Sequence, residues 1–235
     1  MLLPELSLVH DQFLALSQFG HPLRGKLLLR SQLDAEGIAA VIAASIAGAA
    51  SLCVDADADR LREGLRAGFI DFVVADLDES LRILKNELRR ARPVSVGVTV
   101  NPARSIAAMI ERGLQPDLLS AISPAHANIF QERGAVVVPA QAAPEAGTSL
   151  LEWSVAENAA RTMSRLAELA AAALDPMRAD TSPRRRWLEQ STRYLGRSFA
   201  MRQCLRMTSA EIARLLPGAH VDFPAAKITR DGQPA

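Results

Sequence analysis

From residue 26 onward the chain alternates short apolar runs with longer segments of helical periodicity, and this alternation limits the fold more than any other feature. The runs are Lys26–Arg30 (KLLLR), Ala50–Asp55 (ASLCVD), Ile70–Val74 (IDFVV), Val94–Val100 (VSVGVTV), Leu118–Ala121 (LLSA) and Ala135–Val138 (AVVV). The segments between them carry apolar residues three and four apart, and several stop at glycine, as amphipathic helices do. Strands that alternate with helices pair in parallel and need a helical layer on each face. The expected class is therefore α/β, a doubly wound parallel sheet of about six strands, for which the order 3-2-1-4-5-6 is the reference. Asp78 is placed to cap the helix that contains Leu81 and Leu84, and Pro102 suits a first helical turn.

Residues 139–149 (PAQAAPEAGTS) read as a linker, with two prolines among small residues. Beyond it, Leu150–Leu174 reads as one Ala-rich helix with Leu151, Val155, Leu166 and Leu169 on its apolar face. Two or three further helices follow over residues 183–216, the last opened by a capping box of Thr208 and Glu211, and the ending from Pro217 reads as a loop. This divides the chain into an α/β domain over residues 1–140 and a helical, basic extension over 150–235. Residues 176–235 hold 11 Lys and Arg against 5 Asp and Glu, a net +6, which leaves −5 on the remainder of a chain whose total is +1. Arg184, Arg185, Arg186, Arg193 and Arg197 interleave with Trp187 and Tyr194. Such a pattern can meet phosphates and bases. The preferred reading is packing: Trp187, Leu188, Leu195 and Phe199 form an apolar face with solvated arginines around it, and no nucleic-acid partner is expected.

No stretch of eighteen apolar residues is present, so no membrane span is expected, and the start lacks the basic segment of a signal peptide. Two widely separated cysteines, Cys53 and Cys204, do not suggest a disulfide framework, and Cys53 lies within an apolar strand pattern. A cytoplasmic protein is the expectation. His10, His21 and His220 form no metal-ligand spacing, and Ser123 with His126 lacks an acid partner or a nucleophile elbow, so neither a metal site nor a hydrolase triad is expected.

In a dinucleotide-binding α/β domain the first strand-to-helix turn cradles a pyrophosphate, because glycines let the backbone approach and the helix N-terminus supplies free N–H groups. Here the turn is SQLDAEG, Ser31 to Gly37, with one glycine and two carboxylates, Asp34 and Glu36. Asp34 reads as a helix cap, and both charges oppose an anion. Asp55 ends the second run about 20 residues on, where an acid can accept hydrogen bonds from a ribose; it equally suits, with Asp57 and Asp59, a cap on the next helix.

The stretch from GKLLLRSQLDAEG through GFIDFVVADLDESL to VGVTVNPARSIAAMIERGLQPDLLSAISPAH, about Leu23 to His126, resembles the Rossmann-like domain of urocanase (urocanate hydratase). The pieces that carry the resemblance are Ile46–Gly48, the pair Asp55 and Arg60, Asp76–Glu79 and Arg112–Asp117. The resemblance implies a Rossmann-like fold and a family that uses bound NAD as an electrophile to hydrate urocanate. It implies cofactor contacts at Gly37, Asp55, Arg60, Asn101 and His126, although the residues around the last read more readily as those of a loop histidine. Gln32, Asp34, Ala35 and Ile38 stand where the family has glycine, and Ile122 replaces a glutamine. No counterpart of the family's catalytic core domain or cysteine is recognisable, so no catalytic residue is assigned and hydratase activity is not expected. The expected ligand is NAD or another adenine nucleotide, bound weakly through its adenosine half. The alternative is a non-catalytic structural protein that forms a homo-oligomer or docks another protein through residues 150–235.

Overall fold

The computed structural model describes residues 3–20, 22–139, 146–155, 160–195, 199 and 201–235. It divides into two compact units, Met1–Ala142 and Ala143–Ala235. Of the linker segment, residues 140–145 lie outside the described residues, as does Arg197.

The first unit holds α1 (Leu6–Ser17), β1 (Leu27–Ser31), α2 (Ala35–Ala47), β2 (Ala50–Asp55), α3 (Ala58–Ala67), β3 (Phe72–Val74) and α4 (Leu77–Arg89). It continues with β4 (Ser95–Thr99), α5 (Pro102–Glu111), β5 (Leu118–Ser120), α6 (Pro124–Glu132) and β6 (Val136–Val137). All six expected strands form and pair in parallel, as a Rossmann-like sheet requires. The order is β3-β4-β2-β1-β5-β6, so β4 lies between β2 and β3 rather than beside β1 as expected. Strand β4 is the longer, with five residues, and is buried along Ser95–Val98, whereas β3 has three residues and starts with an exposed Phe72. The better-buried strand takes the interior and the short one the edge, where half its hydrogen-bonding groups meet solvent. Asp71 fastens the pair by accepting from Ser95 N at 2.7 Å and Ser95 Oγ at 2.8 Å.

One face of the sheet presents Leu27, Leu29, Leu52, Val54, Val96 and Val98 to Leu84, Ile106, Met109 and Phe130 of α4, α5 and α6. On the other face α3 closes on Gly97, where an added Cβ would lie 2.8 Å from Leu61 Cδ2. Helix α2 is buried from Gly37 to Ala47, which leaves it no polar side. It is covered by α1, a helix the sequence pattern did not announce. The caps are acidic or amide side chains: Asp34 on α2, Asp57 on α3, Asp76 on α4 and Asn101 on α5. Asp78, the expected cap of α4, is inside its first turn and pairs with Arg112 instead.

The second unit has the expected helices but is not helical throughout. It comprises β7 (Thr148–Ser154), α7 (Ala160–Ala173), α8 (Thr181–Tyr194), β8 (Arg202–Thr208), α9 (Ser209–Asp222), β9 (Lys227–Arg230) and β10 (Gln233–Pro234). The strands form an antiparallel sheet in the order β10-β9-β7-β8. The single helix expected over 150–174 is thus a strand followed by a helix. Leu151 faces Leu205, and Trp153 faces Gln203 and Ile228, so β7 buries every second residue against partners some fifty or more positions away, which local periodicity cannot register. The ending forms a hairpin around Asp231 and Gly232 rather than a loop, and α9 runs through Pro217. The capping box of Thr208 and Glu211 is present. Helix α8 covers the free edge of β8: Trp187 Nε1 donates to Cys204 O at 2.6 Å and Arg184 Nη1 to Arg206 O at 3.2 Å. Trp187, Leu188, Leu195 and Phe199 are buried as expected, but Arg184 is not solvated. It is 0% exposed and forms a bidentate pair with the equally buried Glu211 at 2.9 and 3.0 Å. No helix among the described residues is long and apolar enough to cross a membrane.

Candidate functional site at the carboxyl edge of the parallel sheet

In a doubly wound sheet the chain leaves one strand toward each side, and the loops after those two strands part to form a crevice at their carboxyl ends. Here the two are β1, followed by α2, and β5, followed by α6. All five residues singled out from sequence lie on this edge: Asn101 after β4, Asp55 at the end of β2 with Arg60 on α3, Gly37 on α2, and His126 on α6. With strands about 4.8 Å apart, the set from Asn101 to His126 spans three strand intervals, roughly 14 Å.

The β1–α2 turn is held by an arginine that sequence reasoning passed over. Arg30, the fourth residue of β1, is 1% exposed. Its Nε donates to Gln32 O at 3.2 Å, Nη1 to Ser120 Oγ at 2.7 Å and Nη2 to Asp34 Oδ1 at 2.8 Å. The guanidinium thus ties β1, the turn and β5 together across the crevice. Asp34 Oδ1 also accepts from Gly37 N at 2.7 Å, so the carboxylate sits on the N-terminus of α2. Both ends of the attraction are the chain's own: a carboxylate meets the helix dipole and a buried cation supports the carboxylate. A Cβ at Gly37 would lie 2.4 Å from Gln32 O and 2.8 Å from Arg30 Nε, so glycine is required here by the close packing of the turn on itself. An arginine ending a run of buried leucines was the available signal, because such a group is buried only when paired.

The backbone around the crevice is strained on both sides. Gln32 has φ 68° and Ala121 φ 52°, the left-handed region in which a side chain costs about 1–2 kcal/mol. The resemblance noted above implies glycine at the position of Gln32, and the backbone there has the conformation that glycine favours. Ser31 Oγ donates to Ala121 O and links the two strained turns.

Asp55 is 3% exposed. Its Oδ2 accepts from Leu33 N at 2.8 Å and from Arg60 Nη1 at 3.1 Å, while Oδ1 accepts from Asp57 N at 2.9 Å. It therefore clips the β1–α2 turn to the β2–α3 turn, and Asp57 rather than Asp55 caps α3. Arg60 also pairs with Asp57 at 3.4 Å. The Asp57 carboxyl is held below the ordinary carboxylate range by the Arg60 backbone N–H and the adjacent guanidinium. Asn101 is exposed and accepts from Arg104 N at 3.1 Å through Oδ1, which leaves its amide nitrogen as a donor at the edge. His126 is half-buried in the first turn of α6, not in a loop, with Nδ1 3.0 Å from Ser123 Oγ. Gly37, Asp55 and Arg60 come together around one pair of turns; Asn101 and His126 flank them on opposite sides. Cys53, beneath this edge, is a free buried thiol whose pKa is pushed up to about 12, first by burial and then by the charge of Asp55. Among the described residues no group of three or more His, Cys, Asp or Glu is placed to hold a metal ion.

The residues that carry the resemblance noted above do local structural work. Gly48 closes α2 at φ 95°, Asp76 caps α4, and Asp117 accepts from Leu27 N at 2.9 Å and Lys26 Nζ at 2.8 Å, fixing the start of β1. A comparison with family models matches the urocanase Rossmann-like domain over residues 12–174, beyond both ends of the stretch recognised from sequence and to the end of α7. The match covers more than half of the chain, and with the six-stranded parallel sheet it places this protein in the urocanase Rossmann-like domain family.

Proposed function

We propose that this chain is a non-catalytic member of the family, one that neither cradles a pyrophosphate nor hydrates urocanate. The observation that carries this reading is the carboxylate of Asp34 on the N-terminus of α2, backed by the buried Arg30. A pyrophosphate needs that helix end and a glycine-lined approach. Here it would meet a fixed negative charge, and the nearest buried cation already bonds three groups of the protein. The residues present do not fit the diphosphate of NAD. Urocanate hydration depends on that cofactor in the family, so the activity goes with the cradle. The retained Gly37, Asp55 and Arg60 then serve to lock the two turns. The interaction role passes to the C-terminal unit, within which residues 176–235 carry a net +6. Association with a second copy is tested by light scattering of the full chain; the mass of one chain at every concentration counts against it.

The test of the central claim is calorimetric titration of the full chain with NAD, ADP and AMP, alongside loss of urocanate absorbance. No heat of binding from NAD or ADP and no urocanate turnover are expected, while Asp34→Gly, which vacates the helix end, is expected to gain weak diphosphate binding. NAD binding by the unaltered protein at micromolar concentration overturns the proposal. A second reading, binding of an adenine nucleoside or monophosphate, is favoured by the amide donor of Asn101 and the partly exposed Arg60 on neighbouring turns. It requires AMP to bind where NAD does not, with affinity reduced in Asn101→Ala.

A further inference from the structure

The C-terminal unit contains a cavity of about 730 Å³ between α7, α8 and the start of β8. Its size is that of small-molecule sites, roughly 300–1,000 Å³. Met163, Ala167, Ala171, Leu188, Leu195 and Met201 supply an apolar lining. Set among them is Gln203, which is 0% exposed. Its Nε2 donates to Leu188 O at 3.3 Å and to Ser191 Oγ at 2.8 Å. Because a carbonyl only accepts, the bond to Leu188 O fixes which end of the amide is nitrogen. The other end, Oε1, has no hydrogen-bond partner among the described residues. A buried acceptor left unmade is costly, and in a cavity wall it is a demand for a donor.

Among the described residues that line the cavity, the charges without an ion-pair partner have one sign. Glu168 and Glu189 line it, both are exposed, and neither forms an ion pair among the described residues. The cation on the lining, Arg202, is neutralised by Glu152 Oε1 at 2.7 Å. The site therefore combines apolar walls, one waiting acceptor and two unneutralised carboxylates.

We infer that this cavity binds a small amphiphilic amine, its apolar body on the α7 and α8 side chains, an N–H on Gln203 Oε1 and its positive charge in the field of Glu168 and Glu189. Every residue that lines this site belongs to the C-terminal unit, so the site is independent of the family's cofactor chemistry. The experiment is calorimetric titration of the full chain at neutral pH and low salt with octylamine, octanol and octanoate. Saturable binding of one octylamine is expected, with octanoate at least about tenfold weaker and octanol between them, the order that charge complementarity dictates. Ala167→Trp, which fills the cavity, abolishes octylamine binding. The double substitution Glu168→Gln with Glu189→Gln, at two exposed positions, weakens it by about tenfold with unchanged circular dichroism. Should Ala167→Trp fail to fold, the double variant decides alone. Absence of saturable octylamine binding at millimolar concentration overturns the inference. So do equal affinity for octanoate, binding that survives in a folded Ala167→Trp, and binding unaffected in the double variant.

Discussion

Replacing Glu211 by Gln should destabilise the C-terminal unit by roughly 3–4 kcal/mol, and the loss should vanish in acid. Glu211 is 0% exposed, and its two oxygens accept four hydrogen bonds, from Arg184 Nη1 and Nη2, Asp175 N and Thr208 N. Burial by itself pushes the carboxyl pKa up, but the Arg184 guanidinium and the two backbone N–H groups outweigh it and bring it from 4.5 down to about 2. That drop corresponds to roughly 3 kcal/mol in favour of the ionised folded form. Glutamine keeps the shape but presents an NH₂ to one pair of donors and leaves Arg184 with Asp180 as its remaining carboxylate, 3.1 Å away. Breaking one side of a buried pair costs about 3–5 kcal/mol, and Asp180 offsets part of it. Because the folded pKa lies below the unfolded one, the contribution is full above pH 4.5 and disappears as pH falls through about 2. Both tryptophans of the chain, Trp153 and Trp187, are in this unit, so urea unfolding followed by tryptophan fluorescence reads it selectively. The difference between wild type and Glu211→Gln should shrink steadily between pH 5 and pH 2. A difference below about 1 kcal/mol at neutral pH, or one of equal size in acid, refutes the account. Arg184→Met combined with Glu211→Leu should cost less than either single change, since it removes both charges together.

Three smaller changes test the carboxyl edge and the core beneath it. Gly37→Ala forces a Cβ against Gln32 O and should cost about 1–3 kcal/mol in thermal unfolding of the first unit; a cost near zero means that the turn is looser than described. Gln32→Gly relieves a φ of 68°, and the gain of about 1–2 kcal/mol in strain exceeds the added freedom of the unfolded chain, so the melting temperature should rise or hold, whereas Gln32→Val should lower it. With its pKa at about 12, the Cys53 thiol should resist a disulfide reagent at neutral pH and react together with Cys204 only in denaturant; rapid labelling of Cys53 in the folded chain contradicts the burial.

Much of the candidate site was legible because its residues sit at positions defined by local rules. Asp34 and Pro102 announce helix starts, and the lone glycine of the turn stands out beside two carboxylates. What those residues do was less legible. In the sequence Asp55 suits either a ribose acceptor or a cap on the next helix, whereas its contacts with Leu33, Asp57 and Arg60 are visible only in the fold. Arg30 drew no notice, since its partners Asp34 and Ser120 are brought to it by a turn and by a strand 90 residues away.

The sequence by itself determined the six parallel strands, the helices between them and the acidic caps, because each depends on a period or a spacing within about ten residues. Tertiary structure decided three further matters. It inserted β4 between β2 and β3, since strand order follows from which strand can afford exposure. It made strands of residues 148–154 and 202–208, since their apolar faces are completed by each other rather than by their neighbours in sequence. And it set the buried Arg30 against Asp34 at the start of α2, since which cation a helix-capping carboxylate meets is settled by what the fold places opposite it.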